Sequence, residues 1–136
     1  MTDREPQTRS PQMLAARWGT PLMSHGFVAV PISLLRLQTR LSLEPIDLTI
    51  IVHLLRFWID SLPFPSKAKL ARDIGVHQRT VSRRIRAMRA LGYLETVKGL
   101  SPRGKPVVRI DLRPFIKIAT RLAIETGVDT RQTVRT

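Results

Sequence analysis

The sequence predicts a mainly α-helical fold carrying one small β-hairpin, an α+β domain, and two stretches carry that prediction. Residues 65–92, PSKAKLARDIGVHQRTVSRRIRAMRALG, read as two helices joined by a tight turn. Residues 93–112 then read as two short strands around a glycine-containing turn. A chain of 136 residues with 43 % apolar content builds one core, so a single domain with short tails is expected.

In the first stretch, Ser66 is placed to cap a helix whose Leu70, Ala71 and Ile74 recur on one face. Gly75 ends it, because glycine enters the left-handed conformation without a steric cost, and Val76 is buried as the chain reverses. The next helix starts at about His77. Its Val81, Ile85 and Met88 form one stripe at spacings of four and three, which should pack on the first helix. The remaining faces hold Arg79, Arg83, Arg84, Arg86 and Arg89.

Charge names the partner of those faces. Between Lys67 and Lys105 lie eleven Lys or Arg and two acidic residues, so 39 residues hold +9 of the chain's +13. A cluster this dense opposes folding unless a polyanion neutralises it, and double-stranded nucleic acid is the expected one. A merely solvated basic face is the plainer alternative. The turn pattern argues against it, because it marks the arginine-bearing helix as a recognition helix.

At these residues the sequence resembles the winged helix-turn-helix proteins, in particular a bacterial family found among plasmid, phage and chromosomal replication and regulatory proteins. The resemblance is carried by Pro65-Ser66, Lys69-Leu70-Ala71, Ile74-Gly75-Val76, Arg79-Thr80-Val81 and Leu91-Gly92-Tyr93-Leu94, and runs from about Leu43 to Leu112. It implies a winged helix-turn-helix that binds DNA. His77 departs from the family, which usually has serine there. Histidine caps poorly, so the recognition helix is expected to lean on Thr80 or on a phosphate.

Residues near the start of such a helix meet base edges, so Gln78, Arg79, Ser82 and Arg83 are the expected base readers in helix 78–91. Glutamine pairs bidentately with adenine and arginine with guanine. Arg86 and Arg89 should address phosphates, together with Ser66, Lys67, Lys69, Thr80, Arg103 and Lys105. Arg84 is in doubt because it lies closest to the packed stripe. The hairpin is a wing: strands Tyr93–Lys98 and Val107–Leu112 flank the basic turn Gly99–Lys105, which should follow the backbone or enter the minor groove. In the return strand Val108, Ile110 and Leu112 are expected on one face and Val107, Arg109 and Asp111 on the other.

The rest of the chain is expected to frame this unit. Residues 1–26 read as a mobile N-terminal tail in which Pro11–Trp18 could form a marginal helix, with Trp18 a packing anchor rather than a base-stacking residue. The DNA-binding domain spans 27–113, with the helix-turn-helix at 66–92 and the wing at 93–112. Phe27–Val30 is expected as a first strand joining the hairpin, and Pro31 as the start of a helix to about Leu41 with Leu34, Leu35 and Leu37 on its apolar side. Arg36 and Arg40 fall outside it, suited to solubility or to DNA backbone. A helix from Pro45 to about Asp60 offers one stripe of Leu48, Val52, Leu55 and Ile59 toward the core and a second of Ile51, Leu54 and Trp58. That surplus needs another helix or another subunit. Residues 114–127 form a last helix, with Phe115, Ile118, Ala119 and Leu122 as its stripe, which either dimerises or packs back on the domain. Residues 128–136 read as a tail.

Several chemistries are not expected. The chain has no cysteine, so disulfides and thiolate metal sites are excluded. His25, His53 and His77 lack a neighbouring carboxylate or thiol, and His53 reads as a core or interface histidine rather than a ligand. Gly99–Gly104 lacks the ending of a phosphate loop. The N-terminus is not a signal peptide, and the apolar run Ile46–Ile59 is too short and too interrupted to span a bilayer. The expectation is a cytoplasmic, non-enzymatic DNA binder without cofactor or small-molecule effector, acting as a homodimer. Its role is open between a transcriptional regulator, a plasmid or mobile-element replication or segregation protein, and a module that binds protein or RNA.

Overall fold

The structure, a computed structural model, describes residues 11–127; the tails expected at 1–10 and 128–136 lie outside them. The elements are α1 (Pro11–Trp18), α2 (Thr20–Met23), α3 (Ile32–Arg36), α4 (Pro45–Phe57), α5 (Lys67–Ile74), α6 (Gln78–Ala90), β1 (Glu95–Leu100), β2 (Pro106–Asp111) and α7 (Arg113–Thr126).

Capping chemistry sets the central unit. The Ser66 hydroxyl accepts a hydrogen bond from the Lys69 N–H at 3.2 Å and starts α5. Gly75 ends it in the left-handed conformation, at φ 86°. His77 corrects an expectation: its Nδ1 accepts from the Arg79 N–H at 3.0 Å, so the histidine itself caps α6. An imidazole reaches N2 as a serine hydroxyl does, provided it is neutral with its proton on Nε2.

One core joins the helices. Val81, Ile85 and Met88 of α6 are buried as expected, against Leu70 and Ala71 of α5 and Ile50, Ile51 and Leu54 of α4. The stripe of α4 differs from expectation. Its buried residues are Asp47, Ile50, Ile51 and Leu54, whereas Leu48, Val52 and Leu55 are half-buried and Ile59 stands 80 % exposed beyond the helix end. The buried stripe begins with an aspartate, which apolar periodicity alone discards. His53 is half-buried, its Nδ1 3.4 Å from Arg56 Nη1.

The mainly α fold with a two-stranded wing is the one expected. β1 and β2 pair antiparallel from Glu95 opposite Asp111 to Leu100 opposite Pro106. Phe27–Val30 is not a strand. The free edge of β2 is taken instead by the 61–65 loop, where Pro63 O accepts from the Ile110 N–H at 2.8 Å. Arg109 fastens that loop: its guanidinium donates to Leu62 O, to Ser61 Oγ and to Leu100 O, and lies 4.6 Å from the Phe64 ring centroid. Tyr93 and Leu94 precede β1 as core residues, and the Tyr93 hydroxyl donates to Leu41 O at 2.6 Å. Burial raises the Tyr93 pKa.

Three other expectations change. The helix expected at Pro11–Trp18 is present and a short helix follows at Thr20–Met23, but Trp18, expected as a packing anchor, is 55 % exposed and anchors nothing in the core. The helix after Pro31 stops at Arg36; Leu34, Leu37 and Leu41 turn inward while Leu35 stays 55 % exposed. Within β2 the alternation is broken, because Val108 is exposed and Asp111 is buried. Asp111 is satisfied locally: its Oδ1 accepts from the Arg113 N–H and Nε, both at 2.9 Å, and its Oδ2 from Nη2 at 2.8 Å. α7 packs back on the domain through Phe115 and Ala119, with the Phe115 ring edge-on to Tyr93 at 5.3 Å.

The Arg113 contact holds the Asp111 carboxyl below its ordinary pKa. The unfolded chain therefore binds the proton first, so this contribution is complete above about pH 4 and is lost as pH falls through the lower folded value. Asp111→Asn is expected to flatten the acid limb of stability: urea midpoints measured above and below about pH 4 should fall less in the variant than in the parent. An identical fall in both would remove Asp111 from the acid response.

Candidate nucleic-acid interface

The 3.6-residue period of α6 sorts its side chains into three directions. Val81, Ile85 and Met88 face the core. Arg79, Arg83 and Arg86 project from the opposite side and are exposed. Gln78, Ser82 and Arg89 form the flank toward the wing, and Thr80 and Arg84 the flank toward α4.

On the wing side, Gln78, Ile85 and Arg89 line a cleft with Phe64 and Pro65 before α5, Lys67 at its first position, and Thr96, Val107, Val108 and Ile110 of the hairpin. Gln78, Arg89 and Lys67 are thus brought together. Thr96 joins them and was missed by sequence reasoning; in β1 only its pairing opposite Ile110 brings it to this wall. At the other end of the hairpin Arg103 and Lys105 are exposed on the turn, held by Ser101 N to Lys105 O at 2.8 Å and Lys105 N to Ser101 Oγ at 3.1 Å. Gly104 has φ 82°, which a side chain would resist.

On the α4 side, Arg84 is removed from the candidate set. Its Nε donates to Asp47 Oδ1 at 2.8 Å and its Nη2 to Asp47 Oδ2 at 2.9 Å, with Glu44 Oε2 at 3.4 Å from Nη1. The hydrogen bond to Asp47 raises its pKa further above arginine's ordinary value. Arg84 therefore fixes α6 to the start of α4.

The other arginines of α6 are in a different state. Among the described residues, the side chains of Arg79, Arg83, Arg86 and Arg89 take part in no ion pair or hydrogen bond. Ser66, Lys67 and Lys69 are exposed at the start of α5, where backbone N–H groups point outward. Ser66 Oγ is used as an acceptor by the cap, and its own proton remains a donor for an anion. Thr80 and Ser82 are half-buried. Together these groups make a donor-rich, cationic face with a groove beside it, the chemistry of phosphate and base-edge contacts.

Among the described residues no helix is long and apolar enough to cross a membrane, and no three His, Cys, Asp or Glu gather to hold a metal. Residues 41–94 match the family model of a helix-turn-helix domain. The match covers α4, α5 and α6 and ends before the wing strands. No curated protein matches the chain.

Proposed function

We propose that this chain, whose residues 41–94 match a helix-turn-helix domain, is a sequence-specific reader of double-stranded DNA and a bacterial transcriptional regulator. α6 enters the major groove, with Gln78, Arg79, Ser82 and Arg83 on base edges. Arg86, Arg89, Thr80, Ser66, Lys67 and Lys69 hold phosphates, and Arg103 and Lys105 of the wing follow the backbone or the minor groove. The protein acts as a homodimer on cytoplasmic DNA of nucleoid or plasmid, by binding alone, without cofactor or effector.

The observation that carries this is the exposed Arg79–Arg83–Arg86 face directly opposite the buried stripe, whose guanidiniums have no ion pair or hydrogen bond among the described residues. Unpaired guanidiniums held on a rigid helix are directional donors waiting for a partner. The test is selection of bound sequences from a random duplex library at about 150 mM salt, where nonspecific phosphate binding is weakened. An inverted repeat with half-sites about 34 Å apart, or a multiple, is expected. Tandem direct repeats would move the role to replication or segregation of a plasmid or mobile element. No enriched sequence would overturn base reading and favour a protein or RNA partner.

A further inference from the structure

Among the described residues two apolar surfaces are left uncovered. The first is the α1–α2 arm with the segment that follows it. Neither α1 nor α2 buries a residue, and Trp18, Leu22 and Phe27 remain 55 %, 68 % and 52 % exposed. Helices of eight and four residues are marginal in water without a surface to lie on.

The second is concave. A groove of about 470 Å³ runs between α3, α4 and α7, lined by Leu34, Leu37, Leu55, Phe115, Ala119 and Ala123. Ile116 and Ile124 stand on its rim, 45 % and 76 % exposed. The two surfaces are continuous: Ala29 lines this groove and also the notch formed by Leu14, Trp18, Leu22 and Phe27. The arm therefore stands beside its own groove without filling it.

We infer that the groove receives the α1–α2 arm of a second copy, and that two copies exchange arms reciprocally. This rests on the dimer of the proposed function and adds where the copies meet. An exchanged element gives a closed, two-fold arrangement in which each copy supplies both surfaces. Covering the arm and rim side chains of both copies would take on the order of 1,000 Å² out of water, about the lower bound for a specific interface. None of the groove residues belongs to α5, α6 or the hairpin strands, so both basic faces stay free in the dimer.

The absence of cysteine makes the test clean. Leu22→Cys and Thr120→Cys chains, mixed and oxidised, are expected to form a disulfide-linked dimer containing one of each. Either variant oxidised alone should stay a monomer on a denaturing gel. In the chain carrying both substitutions the link should again run between chains; a link within one chain would overturn the exchange, because the arm would then close on its own groove. Sedimentation of the full chain supplies the second arm. Trp18→Asp, at a position that supports nothing in the monomer's core, is expected to weaken dimerisation on the order of tenfold or more. A dimer indifferent to Trp18→Asp overturns the arm contact and leaves the dimer standing. An unsubstituted chain that is monomeric at micromolar concentration, free and on its selected DNA, overturns both.

Discussion

Asp47→Ala is expected to destabilise the domain by roughly 3 kcal/mol, with the melting temperature falling on the order of 10 °C. Asp47 is 1 % exposed and occupied on both oxygens. Oδ1 takes Arg84 Nε, and Oδ2 takes Arg84 Nη2 together with the Glu44 N–H at 2.9 Å. Alanine removes three hydrogen bonds at once and leaves a guanidinium, 21 % exposed, against the protein without its main counter-charge. It also orphans the N–H that opens α4. The expected loss sits at the low end for broken buried pairs, because Arg84 keeps some access to water and Glu44 remains nearby at 3.4 Å. Urea unfolding measures it. The pair Asp47→Leu with Arg84→Met should recover most of the loss, since two apolar groups need no partners. A loss below about 1 kcal/mol for Asp47→Ala would mean that the contact orients α6 without stabilising the fold.

That pair also marks where the sequence stops being legible. The helix-turn-helix is readable because its signals are local. A serine cap, a glycine stop and a stripe at spacings of four and three all lie within 28 residues, and each determines its own neighbourhood. Asp47 lies 37 residues from Arg84. Taken alone it looks like a polar residue on the outside of α4, which is why the stripe through Leu48 and Val52 was expected inward instead of the one through Asp47 and Ile51. Phe27–Val30 has strand composition, but a strand needs an edge, and the 61–65 loop holds the one on β2. His77 shows the opposite kind of miss: the local signal was present, and a residue-type preference overrode a geometry that an imidazole can also meet. For the candidate interface, periodicity was enough to find the outward arginines. Thr96 needed the hairpin register, and Arg84 needed its distant partner.

Because Arg84 is committed to Asp47, the arginines proposed to read DNA can be tested separately from the one that holds the fold. Arg83→Ala is expected to cost roughly 1 to 3 kcal/mol on the selected site, about 5- to 150-fold in affinity, and to relax the preference at one base position. It is exposed and among the described residues has no ion pair or hydrogen bond, so its loss should leave the unfolding midpoint unchanged. Lys105→Ala, at the wing turn, should weaken selected and random duplexes alike and lower the salt slope by about one unit, since a phosphate contact releases a counterion and carries no sequence information. Arg84→Ala should invert the pattern, moving stability first and affinity only through the position of α6. The comparison is made by titrating each variant against the selected and a scrambled duplex at several salt concentrations. Equal losses on both duplexes for Arg83→Ala would sink the base-reading assignment and place Arg83 among the phosphate contacts. A loss confined to the selected duplex would instead orient α6, because the face opposite Val81 and Ile85, which carries Arg83, would then be turned toward the base edges.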